Sequence, residues 1–324
     1  MSLRVAVVQG GPSSEAEVSR VSARGVAEAL RAGGHGVTCL ELDQALAEAL
    51  RVGRYDVVFP VVHGAVGEDG SLQGLLEVMA VPYVGSGVLA SALAMNKAVA
   101  KRLFVAAGLP VARGFCASRG EANDAVVARI FDELPAGFVV KPAESGSAIG
   151  IGRFPERPDR EAAVAAVSQA FALSADIIVE EFVSGREVTC GVLEQGDAAR
   201  SLPPTEVRAP GDAFYSYEAR YARGRSVHVC PAELDGQRAR VEEVALLAHR
   251  VLGCRDLSRA DFVVGDARVV LLEVNTLPGL TPTSLFPEEA AAVGIGFERL
   301  CGELVERAHR RGATPRNAPK AFPV

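Results

Sequence analysis

Two short segments in the last third of the chain carry side chains able to hold a divalent cation: Arg259-Ala260-Asp261 and Glu273-Val274-Asn275. Each lies in a strand-like run, and the runs are joined around Gly265-Asp266-Ala267. Residues two apart on a strand share a face, which groups Arg259 with Asp261 and Glu273 with Asn275. A three-residue loop would pair Val264 with Arg268, setting Asp261 opposite Leu271 and Arg259 opposite Glu273. All four polar residues would then lie on one face of the hairpin, whereas a two-residue loop would put the two pairs on opposite faces. Two carboxylates and an amide oxygen on one surface are hard donors suited to Mg²⁺ that also holds nucleotide phosphates. Leu271 and Leu272 precede Glu273, so the acid emerges from buried strand, where an unpaired carboxylate is costly. The structural alternative is a salt bridge to Arg259.

Lysine is rare. Of 34 basic residues only Lys97, Lys101, Lys141 and Lys320 are lysine. A chain so biased toward arginine keeps lysine where a compact ammonium on a flexible stem must reach a phosphate. Lys320, in a proline-containing tail, reads as a surface residue. Lys141 lies in the strand Phe138-Val139-Val140-Lys141-Pro142, and the small-residue loop Ala143-Glu144-Ser145-Gly146-Ser147-Ala148-Ile149-Gly150 follows. Such a loop can fold over phosphates, with backbone N–H groups and serine hydroxyls donating while Lys141 supplies charge. Its bland reading is a hairpin turn.

Three glycine-containing loops follow strands near the N-terminus. Gly10-Gly11-Pro12-Ser13-Ser14-Glu15 joins the first strand to the first helix, where backbone can approach a ligand at the helix N-terminus. Ser14 with Glu17 fits a capping box, and Glu15 could serve only as a first-turn acid. His63-Gly64-Ala65-Val66-Gly67-Glu68-Asp69-Gly70 offers a second loop at the same sheet edge, or a polar turn with a solvent-facing histidine. Gly85-Ser86-Gly87-Val88-Leu89-Ala90 matches a dinucleotide fingerprint loosely, but no acid follows about twenty residues on. A Walker A sequence is absent.

These residues need elements to hold them. Strand and helix signals alternate through the first ninety or so residues: strands at 3–9, 36–42, 55–62 and 81–84, helices at 15–31 and 71–80. That rhythm predicts a parallel sheet flanked by helices. A helix over 91–107 follows, then strands at 111–117, 138–142, 149–154 and 177–182 around a helix at 160–172. Strands at 187–193, 260–264 and 268–274 and helices at 235–252 and 296–311 complete the chain before a tail. The fold class expected is α/β: an open parallel N-terminal domain over 1–93, then an α+β part in two pieces, 94–180 and 181–313, with 314–324 as tail.

The 324 residues suffice for two or three domains, and 49% hydrophobic with 23% charged residues is an ordinary globular balance. A net charge of −6 argues against a nucleic-acid partner, and no apolar run is long enough for a membrane span. Six scattered cysteines without a CxxC pair, and a start without a signal-peptide pattern, suggest a cytoplasmic protein.

Taken in order, these segments resemble the ATP-grasp enzymes and, within them, the D-alanine–D-alanine ligases. The resemblance runs from about Val5 to about Gly294 and rests on Gly10-Gly11-x-Ser13-x-Glu15-x-Glu17-Val18-Ser19, His63-Gly64-x-x-Gly67-Glu68-Asp69-Gly70 and Met95-Asn96-Lys97. It continues through Val140-Lys141-Pro142, Gly146-Ser147, Phe214-Tyr215-x-Tyr217-Glu218-Ala219-Arg220-Tyr221 and Cys254-Arg255. It closes on Arg259-x-Asp261 and Leu272-Glu273-Val274-Asn275-Thr276-x-Pro278-Gly279-x-Thr281-x-x-Ser284-Leu285. The resemblance implies a two-part ATP-grasp fold binding ATP and two Mg²⁺, with Mn²⁺ able to substitute. It implies that Lys97, Lys141 and Ser147 meet phosphates, that Glu180, Glu181, Val183 and Glu187 line adenine and ribose, and that Asp261, Glu273 and Asn275 hold the metals. Two D-alanine molecules are the implied partners, joined through a D-alanyl phosphate into a peptidoglycan precursor. Arg259 and the Gly279 N–H would stabilise the oxyanion. Glu15, Ser147 and Tyr221 would form one hydrogen-bonded set, and His63, Arg220, Ser284 and Leu285 would contact substrate. A homodimer is expected from the family. The sequence departs from its usual pattern at Asn96, Ser145, Ala148, Ser216, Arg220 and Asp256, where Asp, Glu, Ser, Asp, Lys and Gly are common. The competing readings are a ligase for another amino acid or a hydroxy acid such as D-lactate, a non-catalytic nucleotide-binding protein, and a nicotinamide oxidoreductase.

Overall fold

The structure, a computed structural model, describes residues 2–13, 15–146, 148–196, 198–208 and 226–313. The first part contains β1 (Arg4–Gln9), α1 (Ala16–Ala32), β2 (Gly36–Glu41), α2 (Leu46–Gly53), β3 (Val57–Pro60), α3 (Ser71–Met79), α4 (Val88–Met95) and α5 (Lys97–Ala106). Next come β4 (Gly114–Ser118), α6 (Asn123–Glu133), β5 (Phe138–Pro142), β6 (Gly152–Phe154), α7 (Arg160–Leu173) and β7 (Asp176–Glu181). The remainder is β8 (Arg186–Gln195), β9 (Ala198–Ser201), β10 (Thr205–Arg208), β11 (Val227–Val229), α8 (Arg238–Leu252), β12 (Leu257–Val264), β13 (Val269–Asn275), α9 (Leu285–Ala292) and α10 (Phe297–Arg311). No helix among the described residues is long and apolar enough to cross a membrane.

β1 is apolar on both faces and so must be covered on both. It pairs in parallel with β2 and β3. Val5 and Val7 pack with α1 and α10, while Ala6 and Val8 pack with Leu46 and Leu50 of α2 and Leu72 and Leu76 of α3. α1 presents Ser19, Ala23, Val26, Ala27 and Leu30 inward, the three-and-four spacing of an amphipathic helix. Because α10 comes from the far end of the chain, this first sheet shares its core with Leu193, Leu257 and Phe286 of the C-terminal part.

The second sheet runs antiparallel in the order β4-β7-β5-β6, with α6 and α7 packed on it. The third runs β11-β10-β8-β12-β13, with β9 joined to the far half of β8, and its inner face packs against α8 and residues of α4 and α5. The α/β class with an open parallel sheet followed by two α+β parts is therefore what the chain adopts.

Several expectations change in detail. Residues 81–84 form no strand and join the parallel sheet's backbone at an isolated Tyr83–Val58 bridge. The single helix expected over 91–107 is two, broken at Asn96, whose extended backbone (ψ 96°) ends α4 and whose Oδ1 accepts from Val99 N at 3.0 Å to cap α5. Ser14, and with it the capping box, lies outside the described residues; Glu17 pairs with Arg20. Helices α2, α6 and α9, and strands β9 to β11, were not anticipated.

The hairpin register also differs from expectation. Val264 pairs with Val269, Asp261 with Glu273 and Arg259 with Asn275. The loop runs over four residues, 265–268, closed by Gly265 N–H donating to Arg268 O at 2.9 Å. Continued regularly, that register would set Asp261 against Leu272 and turn Glu273 to the opposite face. A bulge beside Asp261 and Phe262 absorbs one residue and restores the face. The shared face survives, but through a bulge and not a short loop.

Asp256, at a position where the family usually has glycine, has φ +63°. The backbone there is left-handed, which explains a glycine. The aspartate is fully buried, with its carboxylate accepting from Gly85 N–H at 2.8 Å, from Arg307 Nε at 3.0 Å and from both terminal nitrogens of Arg311. Removing one member of a buried charge cluster typically costs 3–5 kcal/mol, and the two arginines here are about a quarter exposed. We expect Asp256→Ala to lose about 2–4 kcal/mol by urea denaturation at neutral pH. Asp256→Gly should lose about 1 kcal/mol less, because glycine is at ease with this backbone. Equal losses would remove the backbone part of this account.

Candidate active site

The carboxyl ends of β1 and β3 bring two of the N-terminal loops together. Ser19 Oγ accepts from Gly10 N–H at 2.8 Å and donates to Val61 O at 2.7 Å, and Ser13 Oγ donates to His63 O at 2.7 Å. Glu15 begins α1 and is buried. His63 is buried too, its Nδ1 3.3 Å from Glu68 Oε1, while Glu68 Oε2 accepts from Gly64 N–H. Burial alone would lower the His63 pKa, but the hydrogen bond and charge of Glu68, with Glu15 behind it, raise it above the ordinary histidine value.

The facing wall is the β12–β13 hairpin. Arg259 holds Asp261 in a two-pronged contact, Nε to Oδ1 and Nη2 to Oδ2, both 2.8 Å. Thr189 Oγ1, from the neighbouring β8, donates to Asp261 Oδ1 at 2.9 Å, and Asn275 Nδ2 lies 3.3 Å from Oδ2. Glu273 lies 3.2 Å from Lys97 Nζ, which also donates to Ser145 O at 2.5 Å. Lys141, on β5, and Lys101, on α5, both contact Glu180, at 2.7 and 2.6 Å. Burial opposes charge on both Lys141 and Glu180. Their mutual attraction wins, so the lysine pKa is raised and the carboxyl's lowered.

Two adjoining cavities open on this wall. The smaller, about 150 Å³, is lined by Lys141, Glu180, Glu181, Val183, Glu187 and Asp261 among others. The larger, about 580 Å³, is lined by Glu15, His63, Asn275, Gly279, Ser284 and Leu285 among others. Lys97, Ser145, Gly146, Arg259, Glu273 and Leu285 line both. Ser284 closes the turn before α9, its Oγ accepting from Thr281 N–H at 3.1 Å, and Gly279 packs so closely that a Cβ would lie 3.1 Å from that oxygen. The Glu181 carboxylate turns away to Arg268 and to Arg113 N–H. Ser147, Arg220 and Tyr221 lie outside the described residues.

Some participants carried little or no sequence signal. Thr189 and Glu68 act through strand pairing and loop closure that spacing does not show. His228, on β11, lines the larger cavity with its Nδ1 2.6 Å from Glu288 on α9. Lys101 was visible only as one of the rare lysines.

The family model for the D-ala D-ala ligase C-terminus matches residues 103–306, and the model for the N-terminus matches residues 42–86. The D-alanine–D-alanine ligase of Acidiphilium cryptum is 46% identical over 310 residues, covering 94% of this chain and 98% of that one. The ligase of Granulibacter bethesdensis is 44% identical over 313 residues, 94% and 97% of the two chains. The chain belongs to the D-alanine–D-alanine ligase family. A solved ligase from Bacillus anthracis complexed with ATP superposes with a TM-score of 0.81 at 26% identity, covering 96% of this chain and 98% of that one. One from Coxiella burnetii gives 0.80 at 26% identity, covering 96% and 94%. These neighbours place the ligase family fold, ATP-grasp, on nearly the whole chain.

Within this family frame Glu289 of α9 stands out. It is fully buried, and its Oε2 accepts from Gly191 N–H at 2.6 Å, beside the point where β8 pairs with Arg259. Burial pushes its carboxyl up to about 8, against the opposing pull of that N–H. A carboxyl raised on folding binds a proton that the unfolded chain releases, so its contribution to stability is full below about pH 4.5 and declines as pH rises to about 8. We expect Glu289→Gln, which keeps an oxygen for Gly191, to remove a slope of about 1.4 kcal/mol per pH unit between pH 5.5 and 7.5. Denaturation midpoints that fall with pH as steeply in the variant as in the parent protein would refute this.

Proposed function

We propose that the chain joins two molecules of D-alanine into D-alanyl-D-alanine at the expense of ATP, in the cytoplasm and as a homodimer, supplying a peptidoglycan precursor. The observation that carries this reading is the single polar face of Arg259, Asp261, Glu273 and Asn275, whose Arg259 and Glu273 border both cavities. A transfer between a nucleotide in one cavity and an amino acid in the other needs such a common wall. The working division of the chain is 1–93 on the substrate side, 94–180 and 181–313 around the nucleotide, and 314–324 as tail.

ATP belongs in the smaller cavity, with its adenine and ribose against Glu180, Glu181, Val183 and Glu187 and its phosphates toward Lys97 and Lys141. The relatives are D-alanine–D-alanine ligases, and one solved neighbour holds ATP. Asp261, Glu273 and Asn275 would hold Mg²⁺. No cluster of three or more His, Cys, Asp or Glu suited to a metal occurs among the described residues. The donors here are two carboxylates and an amide, each carboxylate already drawing a cationic side chain, which fits a hard divalent ion. When bound, the metal neutralises phosphate charge.

The chain's own groups do the rest. Glu15, at the edge of the larger cavity, receives the first ammonium. That molecule's carboxylate oxygen attacks the γ-phosphorus, ADP leaves, and an acyl phosphate remains. The free amine of the second D-alanine, its carboxylate toward Ser284 and Leu285, attacks the carbonyl carbon. Arg259 and the Gly279 N–H meet the charge that develops on the carbonyl oxygen, and phosphate departs as the amide forms. His63 borders the first amino acid. Ser147, Arg220 and Tyr221 complete the proposed substrate and phosphate contacts.

An assay of ADP release with D-alanine, ATP and Mg²⁺, with the product weighed, tests this directly. Release without D-alanine dependence, or a depsipeptide as main product when D-lactate is added in equal amount, would overturn it. Glu273→Gln should lower turnover at least about 100-fold without unfolding the protein, since charge is lost at constant volume. Lys141→Arg should raise the KM for ATP about tenfold, because a planar fork does not replace a point contact to phosphate.

A further inference from the structure

Lys101 is a rare lysine to which the proposed function gives no task. It follows Lys97 by four residues on α5, so both project from one side of the helix. Lys97 reaches Glu273 and the backbone of Ser145, whereas Lys101 reaches Glu180. Lys97, Lys141 and Glu180 line the nucleotide cavity, whereas Lys101 is not in that lining and meets it through Glu180. Its Nζ holds Glu180 Oε1 at 2.6 Å, while Lys141 Nζ holds Oε2 at 2.7 Å. The three side chains are 15%, 7% and 9% exposed for Lys101, Glu180 and Lys141, so water screens their charges weakly.

The charge count is what matters. Lys141 and Glu180 alone would make a neutral pair, and a phosphate approaching Lys141 would compete with a carboxylate already satisfied by it. With Lys101 present the trio carries one net positive charge. Glu180 stays paired while Lys141 turns to an anion.

We propose that Lys101 is a positioning residue of the ATP site: by holding the second oxygen of Glu180, it leaves the charge of Lys141 available to the nucleotide phosphates. This rests on the nucleotide assignment given above. The same geometry explains why a lysine persists at 101 in so arginine-rich a chain, since the space between helix and strand accepts an ammonium in line with one carboxylate oxygen.

The test compares ATP, which has the phosphates, with adenosine, which lacks them, by calorimetric titration of the whole protein in Mg²⁺. In Lys101→Met the Kd for ATP should rise about tenfold and that for adenosine by less than twofold. Lys101→Met combined with Glu180→Gln restores the net charge to one, and the adenosine-to-ATP ratio of Kd should return to within about threefold of the parent value. This pair leaves no buried unpaired charge beyond Lys141, so it also guards against simple misfolding of the single variant. Equal losses for both ligands, no loss for ATP, or no recovery in the double variant would overturn the proposal. If the parent protein binds ATP but does not join D-alanine, the ligase reading falls and the role of Lys101 stands. If it binds no ATP, both fall.

Discussion

The arrangement depends on a carboxylate sealed from solvent. Asp256 lies one residue before β12 and ties three separate parts of the chain: the turn at Gly85, the strand residue Glu194 through its own N–H, and Arg307 with Arg311 on α10. Arg311 also donates to Tyr83 O, while Arg255 donates to Gly85 O and lies over the Tyr83 ring. Glu194, held at about 2 against the cost of burial by its partners, adds a second fixed anion to the cluster. The loop leaving the parallel sheet is thereby clamped where β12 begins. From that clamp β12 runs directly to Arg259 and Asp261, so the distance between the N-terminal loops and the polar hairpin face is set by charge pairs and not by apolar packing alone.

On that face the chemistry needs opposite things at once. Carboxylates must sit close enough to bind cations together, and like charges directly opposed across strands repel. The protein reconciles them with Arg259, which takes both oxygens of Asp261, and with Lys97, which faces Glu273. Thr189 adds a neutral donor from the third strand. Each acid thus has a partner of its own.

Local alternation and helical spacing made most elements legible. The β1–β3 parallel layer, β5, β7 and the α7, α8 and α10 helices follow from apolar period and length. The glycine-containing loops mattered because they fall at strand ends, where Glu15 and His63 do meet one cavity. The hairpin face was anticipated for an incorrect reason. Loop length predicts parity, but the bulge that corrects it leaves β12 in regular register with β8 and puts its extra residue, Leu272, in β13, which spacing alone does not show. Asn96 stands where the family commonly has aspartate, yet it ends one helix and caps the next, because an amide caps as well as a carboxylate. Asp256 looked like a disruption of a glycine position, and its compensation lies fifty residues on, in α10. Glu289 offered no signal, since burial depends on the fold around it. Ordered motifs, more than any single residue, carried the functional reading.

The cap at Asn96 has a further consequence. The first turn of α5 holds Lys97 and no acid, and its last turn holds no base. A helix dipole favours the reverse, with anions at the start and cations at the end, by about 0.3–1 kcal/mol for each group. An aspartate at 96 would ease this, and an asparagine does not. α5 therefore opens with a cation against its own field, although Asn96 Oδ1 and Ala143 O take the N–H groups of Val99 and Lys97 and the ammonium itself reaches Glu273 and Ser145 O. A cation at that end costs the helix part of its stability, which the pairing of Lys97 with Glu273 offsets. An anion lodged there turns the same repulsion into attraction, so the segment is firmest when something negative is bound.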